Sequence, residues 1–235
     1  MTLEANFERR ATIHAALADP RRLEIVDELK LSERSPSELS SSLAMGSNLL
    51  AHHLGVLQQA GLVERLASAG DGRRRYVRLD PDVLSLIGKP TRSFVARHVL
   101  FVCSANSARS QLAAAAWNSR HEVPASSAGT RPAFEVRPGA VEAAARAGLD
   151  MGAARPRSID SVTERPDIVV TVCDLAREEL GTWPGRVRLL HWSVPDPAPI
   201  GTARAFDDAL SSITSRVETL GPRVRSPRRP RRSRP

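Results

Sequence analysis

Apolar positions in the first eighty residues recur at helical intervals, then give way to alternation. In "ALADPRRLEIVDELK" Leu23, Val26 and Leu29 share one helix face, Asp19 can cap the start and Pro20 suits the first turn. "SPSELSSSLAM" predicts a short helix with Ser35 as cap and Pro36 first. "GSNLLAHHLGVLQQAGLV" predicts another, with Ser47 as cap, Leu50, Leu54 and Leu57 inward and Gly61 as stop. "LVERLASAGDGRRRYVRLD" alternates, turns at "AGDG" and alternates again, the pattern of a β-hairpin. "PDVLSLIGKPTRSFVA" holds one apolar stretch suited to a dimer helix, then a polar linker. From residue 97 the pattern changes. "RHVLFVC" is a continuous apolar run, as in a buried parallel strand, and "RSQLAAAAWNSR" is rich in helix formers. "PDIVVTVCDLAREEL" repeats the strand-then-helix pattern, and "LLHWSVPDPAPIG" is a strand running into a proline-stiffened loop.

The expected architecture is therefore two domains: a mostly-α winged helix-turn-helix, then an α/β doubly wound parallel sheet. The boundaries fall at residues 1–84 for the first, 85–96 for a linker, 97–220 for the second and 221–235 for a tail. At 235 residues and 41% hydrophobic, the chain can build two packed cores. The formal charge of +8 suggests nucleic acid, yet the tail "GPRVRSPRRPRRSRP" alone carries seven arginines and no acid, which leaves +1 for the rest. Such a tail cannot bury a core and is expected to be disordered; it could hold DNA without sequence preference or simply be solvated. No run of about 18 apolar residues is present and the N-terminus lacks a signal-peptide core, so the expected location is cytoplasmic, with no membrane partner. Two cysteines in that compartment are buried thiols or chemistry, not a disulfide framework.

Over residues 9–80 the stretches "LADPRRLEIV", "SELSSSLAM", "AHHLGVLQQAGLV" and "GRRRYVRL" together resemble the ArsR type of dimeric bacterial repressor. The resemblance implies that Ser47, Asn48, His52 and His53 on the second tandem helix face DNA in the major groove. His53 equally suits packing between helices. Arg73, Arg74 and Arg75 on the wing would contact phosphates, which orient the protein without reading sequence. A homodimer is expected, since palindromic half-sites need two recognition helices. Two departures matter. Where many members carry a soft-metal-sensing thiol pair, this chain has Ser35-Pro36-Ser37, and hydroxyls are poor ligands for soft ions. Where members usually have small polar residues, it has Leu49 and Ala51.

The second domain carries the candidate chemistry. A strand ending in Cys103, the small-residue loop "SANSARS" and a following helix turn backbone N–H groups and a helix N-terminus into one concavity, which suits a tetrahedral oxyanion. The candidate oxyanion loop is Ser104, Ala105, Asn106, Ser107, Ala108, Arg109 and Ser110. The helix end and Arg109 both favour a thiolate at Cys103, making it a nucleophile, and Arg109 can grip two anion oxygens at once. Asn106 and Ser110 can hydrogen-bond the loop and the sulfur. Asp196, in the Pro-flanked loop, is the candidate proton donor; a turn-forming role is its simpler alternative. Cys173 ends a second buried strand, so in a doubly wound fold it shares the ligand-binding edge with Cys103; a small apolar filler is the alternative for it.

Residues 97–219 resemble the low-molecular-weight tyrosine phosphatase fold and, within it, the arsenate reductases. "VLFVCSANSARSQ" is common to both; "SSAGTRPAFEVRPGAVEAAARAGLDM" and "HWSVPDPA" resemble the reductase branch. Phosphatases usually follow the Asp-Pro with aromatic residues, but Ala198 stands here, and Tyr76, the single tyrosine, lies in the other domain. The resemblance implies that Cys103 attacks arsenate, that Asp196 assists a departing water, and that Cys173 or an external thiol then attacks the sulfur of the adduct so that arsenite leaves. Leu180 stands where thioredoxin-coupled members usually carry a third cysteine, so the expected reductant is external: mycothiol with mycoredoxin, thioredoxin, or glutathione with glutaredoxin. No tightly bound cofactor and no metal are expected. Ala114 replaces a glutamate that helps hold potassium in some members, so no potassium site is assumed. The leading expectation is an arsenate reductase fused to a DNA-binding regulator of arsenic resistance. The alternatives are a phosphomonoester or protein-tyrosine phosphatase, and a regulator whose pocket only senses an oxyanion.

Overall fold

The computed structural model describes residues 3–80, 83, 92–163, 165–183 and 185–227. Two compact units emerge, residues 1–92 with 191–193, and residues 93–190 with 194–235. Among the described residues no helix is long and apolar enough to cross a membrane.

The first unit runs α1 (Leu3–Leu17), α2 (Pro20–Leu29), α3 (Pro36–Ser42), α4 (Ser47–Gln59), β1 (Val63–Ala67) and β2 (Arg75–Leu79). Each start has a local cause. Asp19 is extended and its carboxylate accepts from the Arg22 amide at 3.0 Å, which opens α2 and holds the Asp19 carboxyl below its ordinary value. Ser35 and Glu38 form a capping box on α3, each side chain accepting from the other's amide. Helix α4 is capped by Gly46, with no side-chain bond, instead of by the expected Ser47. Ile25, Val26, Leu29, Leu39, Leu50, Leu54, Leu57 and Val77 close the core, as the helical spacing requires. The hairpin pairs antiparallel from Val63 opposite Leu79 to Ala67 opposite Arg75. Ser68 holds its turn by accepting from the amides of Gly70 and Asp71. Helix α1 was not apparent from the sequence pattern. The apolar stretch read as a dimer helix, and most of the 85–96 linker, lie outside the described residues.

The second unit begins with β3 (Phe94–Val95), then β4 (Val99–Cys103), α5 (Arg109–Asn118), β5 (Ala125–Gly129), α6 (Pro138–Arg146), β6 (Ile168–Thr171), α7 (Asp174–Leu180), β7 (Arg188–His191), α8 (Ala203–Leu220) and β8 (Val224–Arg225). The main sheet has the order β5-β4-β6-β7, with β4 parallel to both neighbours. The chain therefore leaves β4 toward β5 on one side and returns to β6 on the other. That switch point falls at the C-terminal end of β4, the place where open α/β sheets bind ligands. All five β4 residues are buried, which explains the unbroken apolar run. Two boundaries need correction. The unit starts at 93, not 97, and residues 221–225, expected in the disordered tail, form a 3-10 turn and then β8, which pairs parallel with β3. The arginine-rich composition masked a strand of two residues whose Val224 is buried. The rest of the expected tail, 228–235, lies outside the described residues.

Candidate functional site

Cys103 ends β4 and is buried, and the loop 104–108 carries the chain from it to α5. Neighbouring segments take up the loop's carbonyl groups. The carbonyls of Cys103, Ser104, Ala105 and Ser107 accept from the amides of Thr130, Arg131, Ala133 and Arg137. The carbonyl of Asn106 accepts from Gln111 Nε2 at 3.1 Å. In a planar trans peptide the N–H points opposite to the C=O, so a loop that turns its carbonyls outward turns the following amides inward. The Asn106 amide shows this directly, donating to Cys103 Sγ at 3.2 Å. The result is a ring of N–H groups over a thiol at the start of α5, the geometry that receives an oxyanion.

Close packing fixes the loop. Asn106 sits in the left-handed region at φ +49. Its side chain donates to Ser110 Oγ at 2.8 Å, and Ser110 Oγ lies 3.0 Å from Cys103 Sγ. A Cβ on Gly129, at the end of β5, would meet the Ser104 carbonyl at 2.6 Å, so only glycine lets the strand pass this close to the loop. Arg109 is 8% exposed and donates to the Val194 carbonyl at 3.0 Å and to Asp196 Oδ2 at 2.7 Å. The other Asp196 oxygen accepts from the Ala198 amide at 3.1 Å, which is the turn role, while the same carboxyl reaches Arg109. Its side chain is 44% exposed, open to an arriving anion.

Strand register brings the second cysteine to this edge. Val102 pairs with Thr171, where β6 ends, and the Val172 amide donates to the Val102 carbonyl at 2.7 Å, so Cys103 stands opposite Val172. Cys173, expected at the strand end, lies two residues beyond it at the cap of α7, still close enough for the Cys103 sulfur to act on its charge. Cys173 is buried, caps α7 by accepting from the Ala176 amide, and remains a free thiol, as does Cys103. Burial pushes the Cys173 thiol up; the Cys103 sulfur adds to this, and Arg109 and the amides of Ala176 and Ser104 oppose it.

All four expected catalytic residues, Cys103, Arg109, Asp196 and Cys173, thus belong to one site in the second unit. Sequence reasoning missed several supports. These are Gln111 and Arg157, which both hold Asn106, the strap 130–137, and the Arg131–Glu179 ion pair beside it at 2.6 Å. It also missed Phe134, whose ring is fully exposed on the strap. No spacing signal marks Phe134 or Arg157. Gln111 closes the motif "VLFVCSANSARSQ", and nothing in its spacing marks its amide as a support. Among the described residues no cluster of three or more His, Cys, Asp or Glu could hold a metal ion.

The expected DNA face divides. Ser47, Asn48 and His52 are exposed along one side of α4, and Arg73, Arg74 and Arg75 are exposed on the hairpin. His53 is a correction: it is only 6% exposed and turned into the core side of α4, with Nδ1 buried. It follows the inward face set by Leu50, Leu54 and Leu57, so it is a packing residue. Leu49 is half exposed among the polar positions of this face.

A buried cysteine at the end of a central strand, followed by a small-residue loop and a helix on a doubly wound parallel sheet, defines the class as an α/β protein of the low-molecular-weight phosphatase fold. Residues 98–229 match the family "Low molecular weight phosphotyrosine protein phosphatase", and the chain belongs to that family. Residues 19–65 match "Bacterial regulatory protein, arsR family". The chain is similar to the arsenate reductase of Halalkalibacterium halodurans, 31% identical over 133 residues that cover 54% of this chain and 92% of the relative. It is also similar to the arsenate reductase of Bacillus licheniformis, 35% identical over 132 residues covering 54% and 91% respectively. The crystal structure of an arsenate reductase from Archaeoglobus fulgidus aligns with a TM-score of 0.45 and 30% identity over 51% of this chain and 95% of that one.

Proposed function

We propose that the second unit reduces arsenate to arsenite through thiol chemistry, and that the first unit binds operator DNA to regulate arsenic resistance. The observation that supports the reductase reading is a second buried thiol, Cys173, at the same sheet edge and close enough for the Cys103 sulfur and the Arg109 guanidinium to act on it. A phosphomonoesterase needs Cys103, Arg109 and Asp196 but has no use for a second thiol there.

Arsenate enters the amide ring and meets Arg109, whose guanidinium is already held by the Val194 carbonyl. Cys103 Sγ attacks arsenic, an As–O bond breaks, and Asp196 supplies the proton with which that oxygen leaves as water. Cys173, as thiolate, then attacks Cys103 Sγ. The S–As bond breaks and its electron pair stays on arsenic, which becomes As(III). The two thiols have become one disulfide, a two-electron oxidation matching the two-electron reduction. An external dithiol or small thiol returns the enzyme to its reduced state. The proposal places the chemistry inside the cell, where such reductants are maintained, with the regulator half working as a homodimer.

Steady-state arsenite production tests the reading, with wild type, Cys103→Ser and Cys173→Ser each supplied with thioredoxin, glutathione plus glutaredoxin, or mycothiol plus mycoredoxin. Turnover lost in both variants supports it. p-Nitrophenyl phosphate hydrolysis surviving Cys173→Ser, with no arsenite formed, would make the protein a phosphatase; silence in both assays would leave an oxyanion sensor.

A further inference from the structure

The family resemblance implies, in some members, a potassium ion beside the anion loop, and the residues here do not fit one. A hard cation needs oxygen acceptors. The two acceptor atoms of Asn106 are already occupied. Its carbonyl takes Gln111 Nε2 at 3.1 Å, and its Oδ1 takes Gln111 Nε2 at 3.2 Å and the Arg157 amide at 2.9 Å. The Ser127 carbonyl on β5 accepts Arg157 Nε at 2.9 Å, and the Arg155 carbonyl accepts Gln111 Nε2 at 2.9 Å. Position 114, one turn along α5, presents only an alanine methyl. The cavity beside these groups, about 460 Å³, is lined by Gln111, Ala114, Ser126, Asp150, Arg155 and Arg157 among others. Its one lining carboxylate, Asp150, accepts from the Gly152 amide. Apart from Ser126 Oγ, which is buried without a partner among the described residues, the oxygens named here are taken up by neutral amide donors and the Arg157 guanidinium, where a cation would need several free ligands.

We propose that Gln111 and Arg157 are positioning residues of the anion loop, and that their fixed N–H donors make oxyanion binding independent of any monovalent cation. The path is short and continuous. Gln111 and the Arg157 segment hold Asn106 in its left-handed conformation; Asn106 aims its amide at Cys103 Sγ and its Nδ2 at Ser110 Oγ, which touches the same sulfur. A non-glycine residue persists in that backbone region only when its surroundings over-determine it. Gln111 is 6% exposed and its Nε2 is already shared among the Asn106 carbonyl, Asn106 Oδ1 and the Arg155 carbonyl, so breaking these bonds leaves the buried Asn106 carbonyl unmet.

The inference rests on the oxyanion-site reading above, but its test needs no electron transfer. Protection of Cys103 against iodoacetamide by inorganic phosphate, a tetrahedral oxyanion that these thiols do not reduce, is followed by mass of the Cys103 peptide, in potassium, sodium or tetramethylammonium chloride at equal ionic strength. For wild type the protection constant stays within about twofold across the salts. Gln111→Glu, an isosteric change that removes the donor and places an acceptor against Asn106, weakens protection about tenfold or more, as does the apolar isostere Gln111→Met. Arg157→Met weakens it less, because the backbone amide remains. Melting temperatures identify the folded fraction for each variant. Potassium stimulating wild-type protection fivefold or more would overturn the proposal. So would a folded Gln111→Met that protects as wild type and is lowered only in melting temperature, the mark of a merely structural role. Failure of arsenite production alone, with these protection results intact, would refute the reductase reading and leave this inference standing.

Discussion

The anion loop and the DNA face are built on opposite plans. Around Cys103 nearly every polar atom is spoken for: loop carbonyls go to the strap, Asn106 to Gln111 and Arg157, Arg109 to Val194 and Asp196. On α4 and the hairpin the candidate contacts, Ser47, Asn48, His52 and Arg73 to Arg75, are the side chains the core leaves outside. Chemistry at a reacting atom demands preorganised donors. Recognition of a polyanion tolerates mobile cations, because much of its free energy comes from released counterions. The difference therefore predicts sharp, all-or-none effects at the loop and graded, salt-dependent ones on the wing.

The largest effect should come from Arg109. Arg109→Lys keeps charge but loses the planar fork that spans the Val194 carbonyl and an anion, and is expected to lower kcat/KM for arsenate by about 10³. Asp196→Asn should cost about 10² through the lost proton donor. A variant at either position with near-normal kinetics would break the preorganised side of the comparison.

Next comes the pH dependence of disulfide closure. Burial holds the Cys173 thiol above its ordinary value, so the thiol form prevails at neutral pH and the attacking thiolate is scarce. Arsenite release in a single turnover should therefore quicken by roughly tenfold per pH unit from neutral to mildly alkaline conditions, since the thiolate fraction rises in that proportion below the pKa. Stopped sampling with arsenite quantification checks this; a flat profile would separate Cys173 from the rate-limiting step.

On the wing, replacing Arg73, Arg74 and Arg75 by Ala together should flatten the salt dependence of DNA binding. Each lost phosphate contact reduces the log–log slope by about 0.9. The same variant should leave arsenate turnover unchanged. The two adjacent histidines sharpen the contrast within one helix. His52→Ala should weaken operator binding with little change in stability, whereas His53→Ala, at a 6%-exposed position, should cost about 1–2 kcal/mol of folding free energy by urea titration.

The smallest effect concerns His121, half-buried between the Trp117 ring and Gly221. Burial holds its pKa below the ordinary 6.5, with Arg120 adding to the effect and a Val217 backbone bond opposing it. The unfolded chain then takes up a proton before the folded one does. Stability is complete above about pH 6.5 and declines as pH falls from there toward the folded-state value. A melting curve series should show that decline in wild type and less of it in His121→Gln.

How much of this was legible in the sequence follows the same division. The candidate catalytic side chains were legible because chemistry dictates residue type and spacing: a cysteine at a strand end, a small-residue loop, an arginine at the helix start. Cys173 was legible because parallel strands share an edge. The residues that hold Asn106 were not, since Arg157 reaches it across 51 positions and long-range bonds leave no periodicity. His53 was misplaced because two adjacent histidines on a helix lie about 100° apart, enough for one to face out and the other in. Gly46 displaced Ser47 as the cap, a shift of one residue that capping preferences do not resolve. The strand at Val224 was hidden by arginines that suit solvent, although its pairing needs only the backbone.

The central claim is that Cys103 and Cys173 work as a pair on arsenate. The most direct measurement is a single turnover of reduced wild-type protein with excess arsenate and no reductant, with arsenite and thiols quantified and the peptides mapped by mass. The account predicts one arsenite per chain and a Cys103–Cys173 disulfide formed in step with it. Arsenite released while both thiols stay free, or no arsenite with both cysteines reduced and accessible to arsenate, would contradict it.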